Sequence, residues 1–253
     1  MRAELVDDGG AGPPIVFLPG IGGTSAMALH CVQRLRPAFR VLRLRWVGGG
    51  DDDYPGLAAS VLQVLEANSV GRAVLLAESF GVAVALQTAL LAPAQVAGLA
   101  LVNGFARYPR RGRLRLTRLA SGLVGDRFYA WFRRRVGIRK LLGPRWTPEL
   151  AAALAAKRTS FDAAYRARLR MLQRLDLVPR LGEVICPVAL FAADQDRIVP
   201  AVPCARQLLA GLPDATLQVV PRAGHLLLPL AELPWPEWLA ALWARAGGDR
   251  GST

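Results

Sequence analysis

The chain has 253 residues, 53% of them hydrophobic and 20% charged, a balance that excludes a disordered segment and fits one large domain with a full core. Its formal charge of +13 is confined: 20 of the 32 Lys and Arg but 4 of the 19 Asp and Glu fall between residues 105 and 182, and since no recognised nucleic-acid module accompanies that charge, no nucleic-acid partner is expected. Cys31, Cys186 and Cys204 are odd in number and lack metal or redox spacing, so no disulfide framework is suggested and a reducing, cytoplasmic setting is expected.

In chain order, "MRAELVDDGG" has no apolar signal core, so no secretory leader is expected there. "PIVFLPG" (14–20) reads as a strand buried on both faces and closed by Pro-Gly. A helical pattern follows from Ser25 to Arg36, and "FRVLRLRW" (39–46) alternates apolar and basic residues as a strand near a sheet edge would. Tyr54 to Ala67 reads as a helix, "RAVLLA" (72–77) as a strand, Phe80 to Ala92 as a helix and "VAGLALVNG" (96–104) as a strand. The uncharged run from Ser79 to Ala106 has the length of a membrane span, but Gln87, Pro93, Gln95 and Asn103 interrupt it, so it reads as a buried helix followed by a buried strand. "CPVALFAAD" (186–194) and "ATLQVVPRAG" (215–224) are further strands, with helical patterns from Pro200 to Leu212 and from Trp238 to Ala246. Strand and helix alternate, which predicts an α/β fold: a mostly parallel sheet flanked by helices with right-handed crossovers. Residues 105–182 break the alternation with a basic helical pattern punctuated by Gly122, Gly125, Gly137, Gly143, Pro144 and Pro148. This is the pattern of a helical cap inserted into a core made of residues 1–104 and 183–253.

Chemistry enters at "LLAESFGVAVA" (75–85), where a serine interrupts the passage from strand to helix. A sharp bend there lifts Ser79 above the carboxyl edge of the sheet, beside the free N–H groups and positive dipole end of a helix. Gly81 gives the helix room to pack close to the strand. With these residues the chain resembles the α/β-hydrolase family, whose nucleophile elbow is usually GxSxG; here Ala77 stands at the first glycine position, which demands a slightly looser bend.

A nucleophilic serine needs a base, and the chain has two histidines, His30 and His225. His30 falls inside an apparent amphipathic helix and reads as structural. His225, in "PRAGHLLL" after the last strand, is similar to the family's catalytic histidine loop. "FAADQDRIVP" resembles the family's GxxDxxVP segment, which aligns Asp196 with the acid that holds the base and leaves Asp194 as a competitor whose other role is to cap the loop. The order Ser79, Asp196, His225 is that of α/β-hydrolases. The N–H of Phe80, at the helix start, offers one donor to an oxyanion, and the resemblance of "LPGIGGTS" to the family's oxyanion loop implies Ile21 as the second. A phosphate cradle fits that loop less well, since no Lys follows in P-loop spacing.

The resemblance implies a serine hydrolase that cleaves a carboxylic ester or thioester through an acyl-enzyme, without metal or cofactor. An acyltransferase passing the acyl group to an alcohol, or a catalytically silent ligand-binding member of the fold, would keep the same scaffold. The apolar and aromatic residues of the cap (Leu114, Leu116, Leu119, Phe128, Tyr129, Trp131, Phe132) are candidates to shape an acyl pocket. Its arginines are suited to an acidic acyl carrier or an anionic lipid.

Overall fold

The computed structural model describes residues 1–49, 53–110, 112, 131, 137–145, 147–156 and 162–247. Strands β1 (Arg2–Gly9), β2 (Pro14–Leu18), β3 (Arg40–Val47), β4 (Ala73–Glu78), β5 (Val96–Val102), β6 (Val188–Ala193) and β7 (Ala215–Val220) form one sheet in the order β1-β3-β2-β4-β5-β6-β7. Every neighbouring pair is parallel except β1 with β3. Around the sheet lie α1 (Leu29–Leu35), α2 (Tyr54–Ala67), α3 (Phe80–Leu91), α4 (Ile138–Leu142), α5 (Pro148–Ala156), α6 (Ala163–Arg174), α7 (Ala201–Gly211) and α8 (Trp235–Arg245).

The period of two along each strand divides the core. Ile15, Phe17, Val74, Leu76, Ala100 and Val102 face α1 and α8, whereas Val16, Leu18, Leu75, Ala77, Leu99 and Leu101 face α2 and α3. Because both faces are covered, β4 and β5 are buried at every position, and their uninterrupted apolar sequence follows from that. Helix α3 is buried from Phe80 to Ala89; the hydroxyl of its buried Thr88 donates to Val84 O at 2.8 Å. The uncharged run is therefore a core helix and a core strand. No helix among the described residues is long and apolar enough to cross a membrane.

Two elements differ from the sequence reading. Strand β1 was not foreseen: its apolar alternation is limited to Ala3 and Leu5, which pack into the core, and its acids face the arginines of β3 and Arg36. Asp7 pairs with Arg43 at 2.8 Å and also with Arg36, Asp8 with Arg40 at 2.6 Å, and Glu4 with Arg45. The basic alternation of β3 thus belongs to a strand one place inside the edge, and β1 forms the antiparallel edge. Helix α8 starts at Trp235 rather than Trp238, because Pro236 occupies its first turn, where a missing N–H costs nothing.

Between β5 and β6 the described residues contain helices and no strand. The chain leaves and rejoins the core side by side, with Leu177 N–H donating to Ala106 O at 2.9 Å. Of the residues expected to shape an acyl pocket, Trp131 is described and is 55% exposed; Leu114, Leu116, Leu119, Phe128, Tyr129 and Phe132 lie outside the described residues.

Candidate active site

Strand β4 ends at Glu78 and α3 begins at Phe80, so a single residue makes the reversal. Ser79 does so at φ +53°, ψ −111°, a backbone state that an L-residue keeps only when its surroundings hold it, at a cost of about 1–3 kcal/mol. They do: Ser79 N–H donates to Val102 O at 2.9 Å, and Ser79 O accepts from Val82 N–H at 3.1 Å. Ala77 lies within the ladder, opposite Leu18 and Leu101, so the bend needs no glycine there. Gly81 is different. A Cβ at this position would stand 2.5 Å from Leu18 O and 2.8 Å from Pro19 O, so the first turn of α3 crosses the end of β2 at a distance only glycine permits.

The loops after β6 and β7 bring the acid and the base together. His225 Nδ1 lies 2.6 Å from Asp196 Oδ2, and the two side chains are 6% and 0% exposed. Asp196 Oδ1 accepts from the N–H groups of Ile198 at 2.7 Å and Val199 at 3.0 Å, so both carboxylate oxygens are engaged. Asp194 is the loop residue its alternative role described: exposed, with Oδ1 receiving Ala223 N–H at 3.2 Å. His30 is exposed on α1. With Nδ1 held by Asp196, Nε2 is the nitrogen left to exchange protons. Among the described residues no hydrogen bond joins it to Ser79 Oγ; the two residues are linked through the backbone of β5, since Val102 O holds Ser79 N–H and the next residue, Asn103, holds the carbonyl of His225.

Burial acts first on His225, against its charged form, but the neighbouring Asp196 carboxylate and then Glu78 outweigh it and hold the imidazole above its usual pKa.

Opposite Ser79 the turn 20–23 is closed by Gly23 N–H to Gly20 O at 2.9 Å and tied down by Trp46, whose N–H donates to Gly23 O and whose indole Nε1–H donates to Pro19 O, both at 2.9 Å. A Cβ on Gly20 would sit 3.5 Å from Ser79 Cβ, so the turn and the serine are neighbours. Neither Ile21 N–H nor Phe80 N–H has an intramolecular acceptor among the described residues. Two amides beside a hydroxyl, both unused, can receive negative charge. Among the described residues no three His, Cys, Asp or Glu side chains are grouped to hold a metal ion.

Sequence reasoning missed Asn103. It is 1% exposed at φ +47°; its Nδ2 donates to His225 O at 2.7 Å and its Oδ1 accepts from Ala193 N–H at 2.8 Å. One amide therefore ties the end of β5 to the end of β6, three residues before Asp196, and to the loop that carries His225. The signal was present as a polar residue ending an apolar run, but its partners are 90 and 122 residues away. The segment between β5 and β6 also supports the histidine loop. Leu226 N–H donates to Leu141 O at 3.1 Å, Arg145 donates to Pro221 O at 2.9 Å and Arg222 O at 3.3 Å, and a Cβ on Gly143 would lie 2.9 Å from Gly224 Cα.

Comparison with known proteins bears on the fold and the family. Relatives whose assigned name is carbamate hydrolase RutD include one from Variovorax paradoxus (strain S110), 29% identical over 85% of each chain, and one from Shigella flexneri, 27% identical over 84% of each. Among solved structures, the enol-lactonase of Burkholderia xenovorans LB400 superposes with a TM-score of 0.82 at 17% identity over 96% of both chains. A thermophilic esterase from Thermogutta terrifontis superposes with a TM-score of 0.77 at 22% identity, over 96% of this chain and 90% of its own. These structural likenesses concern the fold. The model of the alpha/beta hydrolase family matches residues 15–241, from the first parallel strand through most of the last helix, and the chain belongs to that family.

Proposed function

We propose that this chain is a serine hydrolase that cleaves a carboxylic ester or thioester through an acyl-enzyme intermediate. One conjunction carries the reading: at a single sheet rim, a hydroxyl held in a positive-φ bend shares its supports with an imidazole whose Nδ1 lies 2.6 Å from a sealed carboxylate.

In this mechanism Ser79 Oγ attacks the carbonyl carbon while His225 Nε2 takes its proton, and Asp196 stabilises the imidazolium and fixes its orientation. The hydrogen bond from serine to Nε2 forms as substrate enters, as is common when resting geometry is loose. The oxyanion is received by the N–H groups of Ile21 and Phe80, each contributing about 3 kcal/mol in the transition state. His225 returns the proton to the leaving group, then activates a water that attacks the acyl-serine, releasing the acid and restoring Ser79.

The names of the curated relatives favour a second reading on the same machinery, hydrolysis of a carbamate, since a carbamate carbonyl reaches the same tetrahedral geometry. Residues 105–182 form a cap that selects the acyl group, and its arginines dock an acidic acyl carrier or an anionic lipid headgroup. Capture of such a donor then weakens with rising salt, whereas turnover of short neutral esters does not.

The test is labelling by a fluorophosphonate, expected in the native protein and lost in Ser79→Ala, followed by p-nitrophenyl esters of increasing chain length set against acyl thioesters and aryl carbamates. Product passing to an added alcohol in preference to water would identify an acyltransferase. Absence of labelling in the native protein would make it a silent member of the fold.

A further inference from the structure

Glu78, the last residue of β4, immediately precedes the proposed nucleophile, and the mechanism above gives it no part. It is 6% exposed, and its Oε1 is sealed without a hydrogen-bond partner among the described residues. The position a Cβ would take on Gly20 lies 3.9 Å from Glu78 Oε2 and 3.5 Å from Ser79 Cβ, so the carboxyl, the serine and the first residue of the oxyanion turn are mutual neighbours. The ionisable groups that face it come from three directions: the thiol of Cys31 from α1, Asp196 from the loop after β6 and His225 from the loop after β7. The groups that act on its charge are His225 and Asp196, and the buried Arg168 packs beside Gly23 at the far end of the same turn. Burial raises its pKa to about 7, with His225 opposing the rise and Asp196 adding to it. A carboxylate placed here would lack the paired, hydrogen-bonded surroundings that buried charge requires.

We propose that Glu78 is a second ionisable group of the active site, one that must be protonated for the turn at Gly20 and Ile21 to accept negative charge, so that its ionisation slows acylation on the alkaline side. The inference rests on the serine-hydrolase reading. A negative charge beside the turn opposes the developing oxyanion, and in a site shielded from water this repulsion is enough to slow acylation roughly tenfold. The same charge strengthens the hold of His225 on its proton. Because the two groups interact, their titration belongs to the pair: the first proton lost frees the base, and the second charges the site against its own transition state.

The experiment is the pH dependence of kcat/KM for p-nitrophenyl acetate between pH 5 and about 9.5, run in parallel with the rate of fluorophosphonate labelling. The native protein should give a bell whose alkaline limb falls about tenfold. Glu78→Gln, of the same shape and unable to ionise, should lose that limb and hold a plateau, with its acid limb nearly unmoved because Glu78 is still protonated while His225 gives up its proton. Glu78→Asp should keep a descending limb. A native profile that stays level above neutrality, or an alkaline limb that survives in Glu78→Gln, overturns the proposal while leaving Ser79-dependent labelling intact. Failure of the native protein to label at all overturns the serine-hydrolase reading and this inference with it. Thermal melts of the variants establish that a changed profile belongs to a folded enzyme.

Discussion

Replacing Asn103 by alanine removes a side chain that bonds both the end of β6, just before the Asp196 loop, and the loop that carries His225. Its two hydrogen bonds, 2.7 Å to His225 O and 2.8 Å from Ala193 N–H, are buried, and each contributes about 1 kcal/mol net. Truncation costs more than that, because the amide of Ala193 and the carbonyl of His225 are left without partners at about 1–3 kcal/mol apiece. Together with the positive φ that alanine tolerates less well than asparagine, the expected loss is about 3–5 kcal/mol. Urea unfolding should show it as a lower midpoint at unchanged slope. Because the carbonyl being released is that of His225 itself, kcat should fall by at least about tenfold with little change in KM. Asn103→Asp still accepts from Ala193 but sets an unpaired buried carboxylate against His225 O, so it should cost at least as much stability as the alanine variant and lower activity further. If Asn103→Ala costs less than about 1 kcal/mol and kcat stays within about twofold, the idea that this amide fixes the base is wrong.

The identity of the acid can be read from two amide variants. Asp196→Asn should lower kcat by about 10⁴ with the fold intact, since the imidazole is then held in the wrong tautomer, whereas Asp194→Asn should leave kcat near the native value; equal losses would remove the distinction drawn from their hydrogen bonds. The buried Glu78 carboxyl also predicts a stability trend. Its folded pKa, about 7, lies above the ordinary 4.5, so between those values the folded state binds more protons than the unfolded one and stability falls as pH rises. The shift corresponds to ~3 kcal/mol. Glu78→Gln should therefore gain stability relative to the native chain on going from pH 5 to pH 8 in urea unfolding, and a constant difference across that range would contradict the burial argument.

Particular residues show what a linear reading of this chain can reach. Ser79, Phe80 and Gly81 were legible because a one-residue reversal under a crossing helix admits few side chains, and the restriction is local. The central strands were legible because burial on both faces leaves a continuous apolar imprint. Asp194 and Asp196 could not be separated by composition: two residues apart, they point to different partners, and only the turn between them decides which one meets His225. Strand β1 escaped because its partners are the arginines of β3, 32 to 41 residues away. Asn103 escaped for the same reason over a longer span. Glu78 was read as part of a nucleophile string, and nothing in that string says that its carboxyl is cut off from water.

The contact between Gly143 and Gly224 has a consequence for how such a molecule can change. The segment after β5 and the loop bearing the imidazole touch main chain to main chain, so they cannot be exchanged as separate modules. A chimera that imports a foreign segment to alter substrate choice would need to retain residues 141–145 or import the matching histidine loop as well. A graft cut outside that seam should transfer specificity, and one cut through it should arrive with its base displaced.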